Sequence, residues 1–189
     1  MFKLDKGLGV PAYERFWLGG CLKFAASFAS PMRTIQAIES ISRKLVDVAE
    51  HAGAEDAFQS TKVPRLIGID QRSCSWSVVM VIEHLAIFNT DVLKIIRSLQ
   101  QEIEPRGAIE MADYDPASQG TWEAVEDFRN SVSELSWLIS GDAPVTSSAM
   151  FQHPWYGRMT AHQWLCCVAV HQFAHLRHVR KIVAVLGVT

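Results

Sequence analysis

The sequence predicts an all-α protein: a four-helix bundle, with an extra helical segment at the N-terminus. Three observations predict it. Four long stretches carry apolar residues at three- and four-residue steps. Capping or breaking residues bound those stretches. No stretch alternates apolar and polar residues as a half-buried strand does. The chain has 189 residues, 49% hydrophobic and 20% charged, which suits one domain with its own core rather than a disordered segment. Residues 1–30 are read as an N-terminal extension and residues 31–189 as the bundle domain.

Met1–Gly9 is a mixed lead with two glycines. Pro11 suits the first turn of a helix over about Ala12–Phe28. Gly19-Gly20 should interrupt it, at ~1 kcal/mol each against Ala. Its aromatic residues, among them Trp17, Phe24 and Phe28, suit either a dimer contact or a cap over the protein's own core. Pro31–Ala52 is the first bundle helix, with Ile35, Ile38, Ile41, Leu45 and Val48 on one side and Gly53 as its stop. The linker Ala54–Arg72 carries Pro64 and Gly68 as breakers. Within it, Val63–Ile69 is a short extended piece or a pad under the bundle.

Ser75 or Ser77 caps the next helix, which runs to about Leu99. Its wide apolar stripe includes Val81, Leu85, Phe88 and Val92, and His84 falls within it. Gln100–Gly120 is a long connector. Extended, about twenty residues reach ~60 Å, so a crossover up-down-down-up topology is open in place of a hairpin. Thr121 opens the third helix, whose expected buried face is Trp122, Val125, Phe128, Val132, Leu135 and Ile139, and Gly141 ends it. Thr146–Met159 is a structured loop with His-Pro-Trp-Tyr-Gly at 153–157. Thr160 and Gln163 then form a capping box that fixes the start of the fourth helix, with Gly187 past its end.

The formal charge is −2 with no run of like charge, so nucleic-acid binding has no electrostatic support. No apolar run approaches the ~20 residues of a membrane span. Cys21, Cys74, Cys166 and Cys167 do not form a disulfide framework, which points to a reducing, cytoplasmic setting. Leu18-Gly19-Gly20-Cys21 loosely resembles a lipoprotein cleavage box. Against a cleaved signal, Glu14 and Arg15 stand where its apolar core belongs.

The fourth helix carries His171 and His175 one turn apart, in a row with Trp164, Val168, Val179, Ile182 and Leu186. Residues i and i+4 share a helix face, so two such imidazoles can chelate one metal ion. His84 lies in an apolar row of a second helix. A buried imidazole without a partner costs a few kcal/mol, so three converging in one core need a common ligand, and a divalent metal serves at ~2.0–2.1 Å per nitrogen. The alternative for each is a core histidine with a local hydrogen bond. His178, one turn beyond His175, is a rival ligand but reads as a helix-edge residue between Arg177 and Arg180. His162 reads as exposed, His51 as a helix-end cation, and His153 as a loop hydrogen-bonder or pocket lip. Cys167 is a small core residue or an added zinc ligand. Asn89 and Gln172 are partners for the imidazoles or solvent-facing polar groups. Arg158 and Tyr156 line a pocket mouth or pack the loop. Glu83 adjoins His84 but points ~100° away. No Glu-x-x-His motif appears, which excludes the ferritin-like di-iron pattern.

Trp76–Asn89, followed much later by HPWYGRMTAHQWLCCVAVHQFAHLRHVRKI, resembles the DinB/YfiT-like superfamily of bacterial metal-binding four-helix bundles. The matching features are a histidine after a Trp-Ser start, a His-Pro…Gly…Thr…Gln-Trp approach, and a His-x3-His pair. The resemblance covers roughly residues 31–186, and the fourth-helix segment is its specific part. It implies one divalent metal ion (zinc, nickel or iron) held by His84, His171 and His175, with open positions. Some members transfer or isomerise substrates with low-molecular-weight thiols such as bacillithiol, mycothiol or glutathione. The expected function is therefore a metal-dependent thiol S-transferase or hydrolase acting on a small molecule. The competing readings are a non-catalytic, metal-stabilised stress or interaction protein, and a plain structural bundle.

Overall fold

The computed structural model describes residues 9–117, 119–141 and 147–188. Five helices follow in order: α1 (Ala12–Ala26), α2 (Pro31–Ala57), α3 (Val78–Gln100), α4 (Glu123–Ser140) and α5 (Ala161–Leu186). Strands β1 (Met150–His153) and β2 (Gly157–Thr160) form an antiparallel hairpin between α4 and α5. Helices α2 to α5 make the bundle: α2 packs chiefly on α5 and α4, and α3 on those same two helices. Helix α1 lies outside, against α5.

The helix starts follow the capping chemistry. The side chains of Ser30, Ser77 and Thr160 accept hydrogen bonds from the backbone N–H of Arg33, Met80 and Gln163, each satisfying a donor the helix cannot. Gln163 also reaches back to the Thr160 N–H, completing the box. Gly187 ends α5 in the left-handed conformation.

Between the helices, Ile35, Ile38, Leu45, Ile82, Leu85, Phe128, Leu135 and Trp164 are buried in one continuous core. Polar contacts tie the same helices together. Asn89 donates to Ser131 and Arg97 to Glu134 between α3 and α4. Ser136 donates to Glu39, and Arg129 pairs with Glu50, between α2 and α4.

Several expectations are corrected. Gly19-Gly20 does not interrupt α1. A Cβ on Gly19 would lie 3.0 Å from Tyr156 Cδ1, so this glycine lets the helix sit close on that ring. Gly53 kinks α2 at φ 71°, but the helix resumes for another turn to Ala57. Trp122 lies before α4 rather than on its buried face. It is 38% exposed and packs edge-on to Phe58. The loop over residues 146–159 contains the hairpin, whose four-residue strands are too short for alternation to register as a signal. Val63 and Ile69 are buried without strand pairing, which is the pad reading.

Buried Glu14 anchors α1 by accepting from both Arg65 terminal nitrogens and from the Gly68 N–H, and its carboxyl is held down to about 2, chiefly by the Arg65 hydrogen bonds. The connector after α3 closes on that helix at Gly120, where φ is +68° and a Cβ would meet Val79 Cγ1 at 2.9 Å. Gly120→Ala should therefore destabilise the protein by about 1–3 kcal/mol through overpacking and a disfavoured backbone. Urea unfolding measures this, and an unchanged midpoint would mean the connector is not held there.

Candidate metal centre

Helix α3 supplies His84, and α5 supplies His171 and His175. The three rings form a nearly equilateral triangle. Their centroids are 5.0 Å apart for His84–His171, 4.8 Å for His84–His175 and 4.7 Å for His171–His175. One nitrogen from each ring lies within 4.8 Å of the other two, so the set is close enough to bind a metal ion.

The nitrogens also fit a shared ion. His84 Nε2 and His171 Nε2 are 3.1 Å apart. Two ligands at ~2.0–2.1 Å from one ion, at tetrahedral to octahedral angles, sit ~2.9–3.4 Å apart. The Nδ1 atoms of His171 and His175 are buried and have no hydrogen-bond partner among the described residues. An ion shared by the Nε2 atoms would offset part of the cost of burying these rings, while the Nδ1 atom of His171 lies on the far side of its ring from that point.

His84 is fixed from behind. Its Nδ1–H donates to the Tyr114 carbonyl at 2.7 Å, which leaves the Nε2 lone pair facing the other two rings. Tyr114 comes from the short 3-10 turn Met111–Tyr114 in the connector and is itself buried against Phe88. A backbone carbonyl leaves no mark in the sequence, so this contact has no residue signature. The Trp76 ring lies 5.1 Å from His84, and Phe88 lies 4.3 Å from His171.

Burial keeps all three imidazoles neutral. It pushes His84 down to about 4, and it lowers His171 and His175 well below the ordinary value, reinforced by the neighbouring rings. Neutral imidazole is the form that binds metals.

A mostly apolar cleft of about 210 Å³ opens over the triangle. Trp76, Phe88, Tyr156, Cys167 and His153 line it, with Leu18, Ile67, Phe173, Asp70, Arg72, Asp115 and Arg177 also contributing. Arg72 pairs with both Asp70 and Asp115.

The remaining candidates separate by geometry. His178 is fully buried, 5.7 Å from His175 ring to ring, and neither ring nitrogen has a hydrogen-bond partner among the described residues. The expectation of an edge residue is corrected: seven residues after His171 is ~20° from the same direction, whereas Arg177 and Arg180 on either side are exposed. His153 is buried and accepts at Nδ1 from the N–H groups of Trp155 and Tyr156, as a loop hydrogen-bonder at the cleft wall. His162 is half-buried beside Cys166 rather than exposed. His51 contacts the Asp47 carbonyl. Cys167 is buried 3.9 Å from His153 and outside the triangle, and burial pushes its thiol up to about 12. Asn89 and Gln172 are both fully buried, and Asn89 donates to Ser131 on α4 rather than to an imidazole. Arg158 is away from the cleft, tying the hairpin to Glu104 and the Met150 carbonyl.

Among solved structures, the fold is similar to that of TT2238, described as a four-helix bundle protein. The likeness covers 80% of this chain and 98% of that one, at 18% identity and a TM-score of 0.57. No family model matches the sequence. No curated protein matches it either.

The depressed histidines set a pH dependence. Between the ordinary value near 6.5 and about 4, the unfolded chain takes up protons that folded His84 refuses, so stability falls as pH falls. For His84 alone the loss is on the order of 3 kcal/mol. Metal-free protein should lose thermal stability from pH 7 to pH 4.5, and His84→Phe should flatten the profile. An identical slope in the variant would contradict the burial of His84.

Proposed function

We propose that the protein is a metal-binding bundle of the DinB/YfiT-like kind, in which His84, His171 and His175 hold one divalent ion and the cleft receives a small, largely apolar molecule. The observation that carries this reading is the triangle of neutral imidazoles at the cleft. Nitrogen donors suit zinc, nickel or iron. When bound with positions left open, such an ion supplies Lewis acidity and lowers the pKa of a coordinated water or thiol.

The chain's own residues do the rest. Trp76 and Phe88 pack on the histidines and exclude water. The Tyr114 carbonyl orients His84. Arg177 in the cleft lining offers a cation to an anionic group on the ligand, whereas Arg72 is engaged by Asp70 and Asp115. The activity that fits is transfer of a low-molecular-weight thiol to an electrophile, or a hydrolysis.

Helix order supports the same family reading. Contacts between α3 and α4 rise together along both helices, Asn89–Ser131 then Arg97–Glu134. Those between α2 and α4 run oppositely, Glu39–Ser136 and Glu50–Arg129. Thr34 meets Cys166 near the starts of α2 and α5. An up-down-down-up bundle accommodates all of these, with the connector crossing over and bringing Tyr114 to His84. Four free cysteines suit a reducing compartment such as the cytoplasm.

One observation favours a non-catalytic, metal-stabilised protein instead. Among the described residues, the cleft's candidate bases are engaged: Asp70 and Asp115 are paired with Arg72, His153 Nδ1 accepts from backbone N–H groups, and burial raises the pKa of the Cys167 thiol.

Two measurements decide. Wild-type protein should bind about one divalent ion, and His171→Ala should bind it more than ~100-fold more weakly. Equal, negligible metal in both would end the metal reading. Metal-loaded wild type should then turn over some member of a panel of thiols and electrophiles, or of esters, and His171→Ala none. Metal binding without any turnover would favour the non-catalytic protein.

A further inference from the structure

One side of α1 and of the turn after it is largely uncovered by the described residues, although Tyr13 donates to Glu14. Tyr13, Phe16, Trp17, Phe24 and Phe28 are each 66% to 78% exposed. Gly20 and Cys21 lie between them on the same side, while Gly19, Leu22 and Ala26 face the body. The exposed side carries no charge: Arg15 and Lys23 are half-buried at its flank, and Glu14 is buried on Arg65. Five aromatic side chains of ~150–250 Å² each, mostly exposed, present roughly 500–900 Å². That exceeds the ~300–600 Å² of the largest patch on an ordinary monomer and approaches the ~800 Å² each partner buries in a stable complex.

We propose that α1 is a self-association helix, pairing antiparallel with α1 of a second copy about a two-fold axis between Gly20 and Cys21. A two-fold interface needs a self-complementary surface, and this stripe is symmetric about that midpoint. Tyr13 falls opposite Phe28, Trp17 opposite Phe24, and Phe16 opposite Ala25, all of them exposed. The smallest residues meet at the crossing and the rings lie to either side, which lets the helix axes approach to ~8 Å.

Gly20 supports this independently. A Cβ there would meet nothing within 4 Å, whereas a Cβ on Gly19 would press on Tyr156. Packing among the described residues therefore explains Gly19 and leaves Gly20 unexplained. A second copy at the crossing explains it. A bilayer surface is the other apolar partner, but helices that lie on membranes pair their apolar face with outward Lys and Arg, and the exposed side of α1 has neither.

The test is sedimentation of the full-length protein at micromolar concentration, with a short bismaleimide cross-linker in a parallel sample. The other three cysteines are buried, so cross-linking reads Cys21 alone. Wild type should sediment as a dimer and give a two-chain band that Cys21→Ser abolishes. Gly20→Glu places like charges across the axis in a position open in the protomer. It should weaken the dimer by roughly 100-fold or more while helicity and bound metal stay unchanged. Vesicles of mixed neutral and anionic lipid should not pellet the wild type. A monomeric wild type, a cross-link that survives Cys21→Ser, a Gly20→Glu protein that dimerises as well as wild type, or binding to vesicles in place of dimerisation would each overturn the proposal.

Discussion

Three uncharged imidazoles share one buried space, and much of the bundle is arranged around that constraint. Burial removes water from each ring, and each ring penalises protonation of the next, so the cluster is neutral at ordinary pH. The cost is nitrogen atoms without partners in a core where polar groups are normally satisfied. Such a cluster persists only if the helices carrying it are held in register by other means. Ser77 sets the start of α3, the Thr160–Gln163 box sets the start of α5, and Tyr114 pulls the connector onto the back of His84. Register matters because one residue of slip on α5 would turn its histidines by ~100° and scatter the triangle.

These same features decide what the sequence makes legible. Four amphipathic periods, the serine cap before α3 and the capping box before α5 are local signals, and they place the four bundle helices, though α2 runs past Gly53 to Ala57 and α4 starts after Trp122. His84, His171 and His175 stand out because each interrupts an apolar row, and the structure brings them together. Two kinds of feature escape. A backbone carbonyl such as that of Tyr114 has no residue signature, although it orients a ring. His178 shows the second kind: its neighbours Arg177 and Arg180 point outward, yet its own direction follows from its spacing to His171 and not from theirs.

Helix α1 shows how apolar character on both faces confuses a periodicity reading. Its inner side is narrow, with Gly19, Leu22 and Ala26, and the Glu14–Arg65–Gly68 contacts tie it to the linker. Its outer side holds the larger rings. From the sequence, those rings fit a cap over the protein's own core equally well. In the structure the core is already filled by residues of the bundle, and the rings of α1 face away from it. The glycine pair is explained only in part by the fold: one member touches Tyr156, and the other touches nothing.

The hairpin joins these two regions and constrains the chemistry. Its turn, Pro154–Tyr156, closes onto Gly157 at φ +76°, and His153 fastens it by accepting two backbone N–H bonds at Nδ1. A ring that accepts at Nδ1 carries its proton on Nε2, which here faces the Cys167 sulfur. His153 is thus a neutral, committed part of the wall, and burial pushes it down to about 3 so that it stays so. Beside it, Tyr156 stacks on that ring and supports α1 through Gly19. The cleft therefore has rigid aromatic walls and side chains already engaged with one another. Among the described residues of the cleft, the three imidazoles are the set close enough to share one ion, each offering a nitrogen within 4.8 Å of the other two.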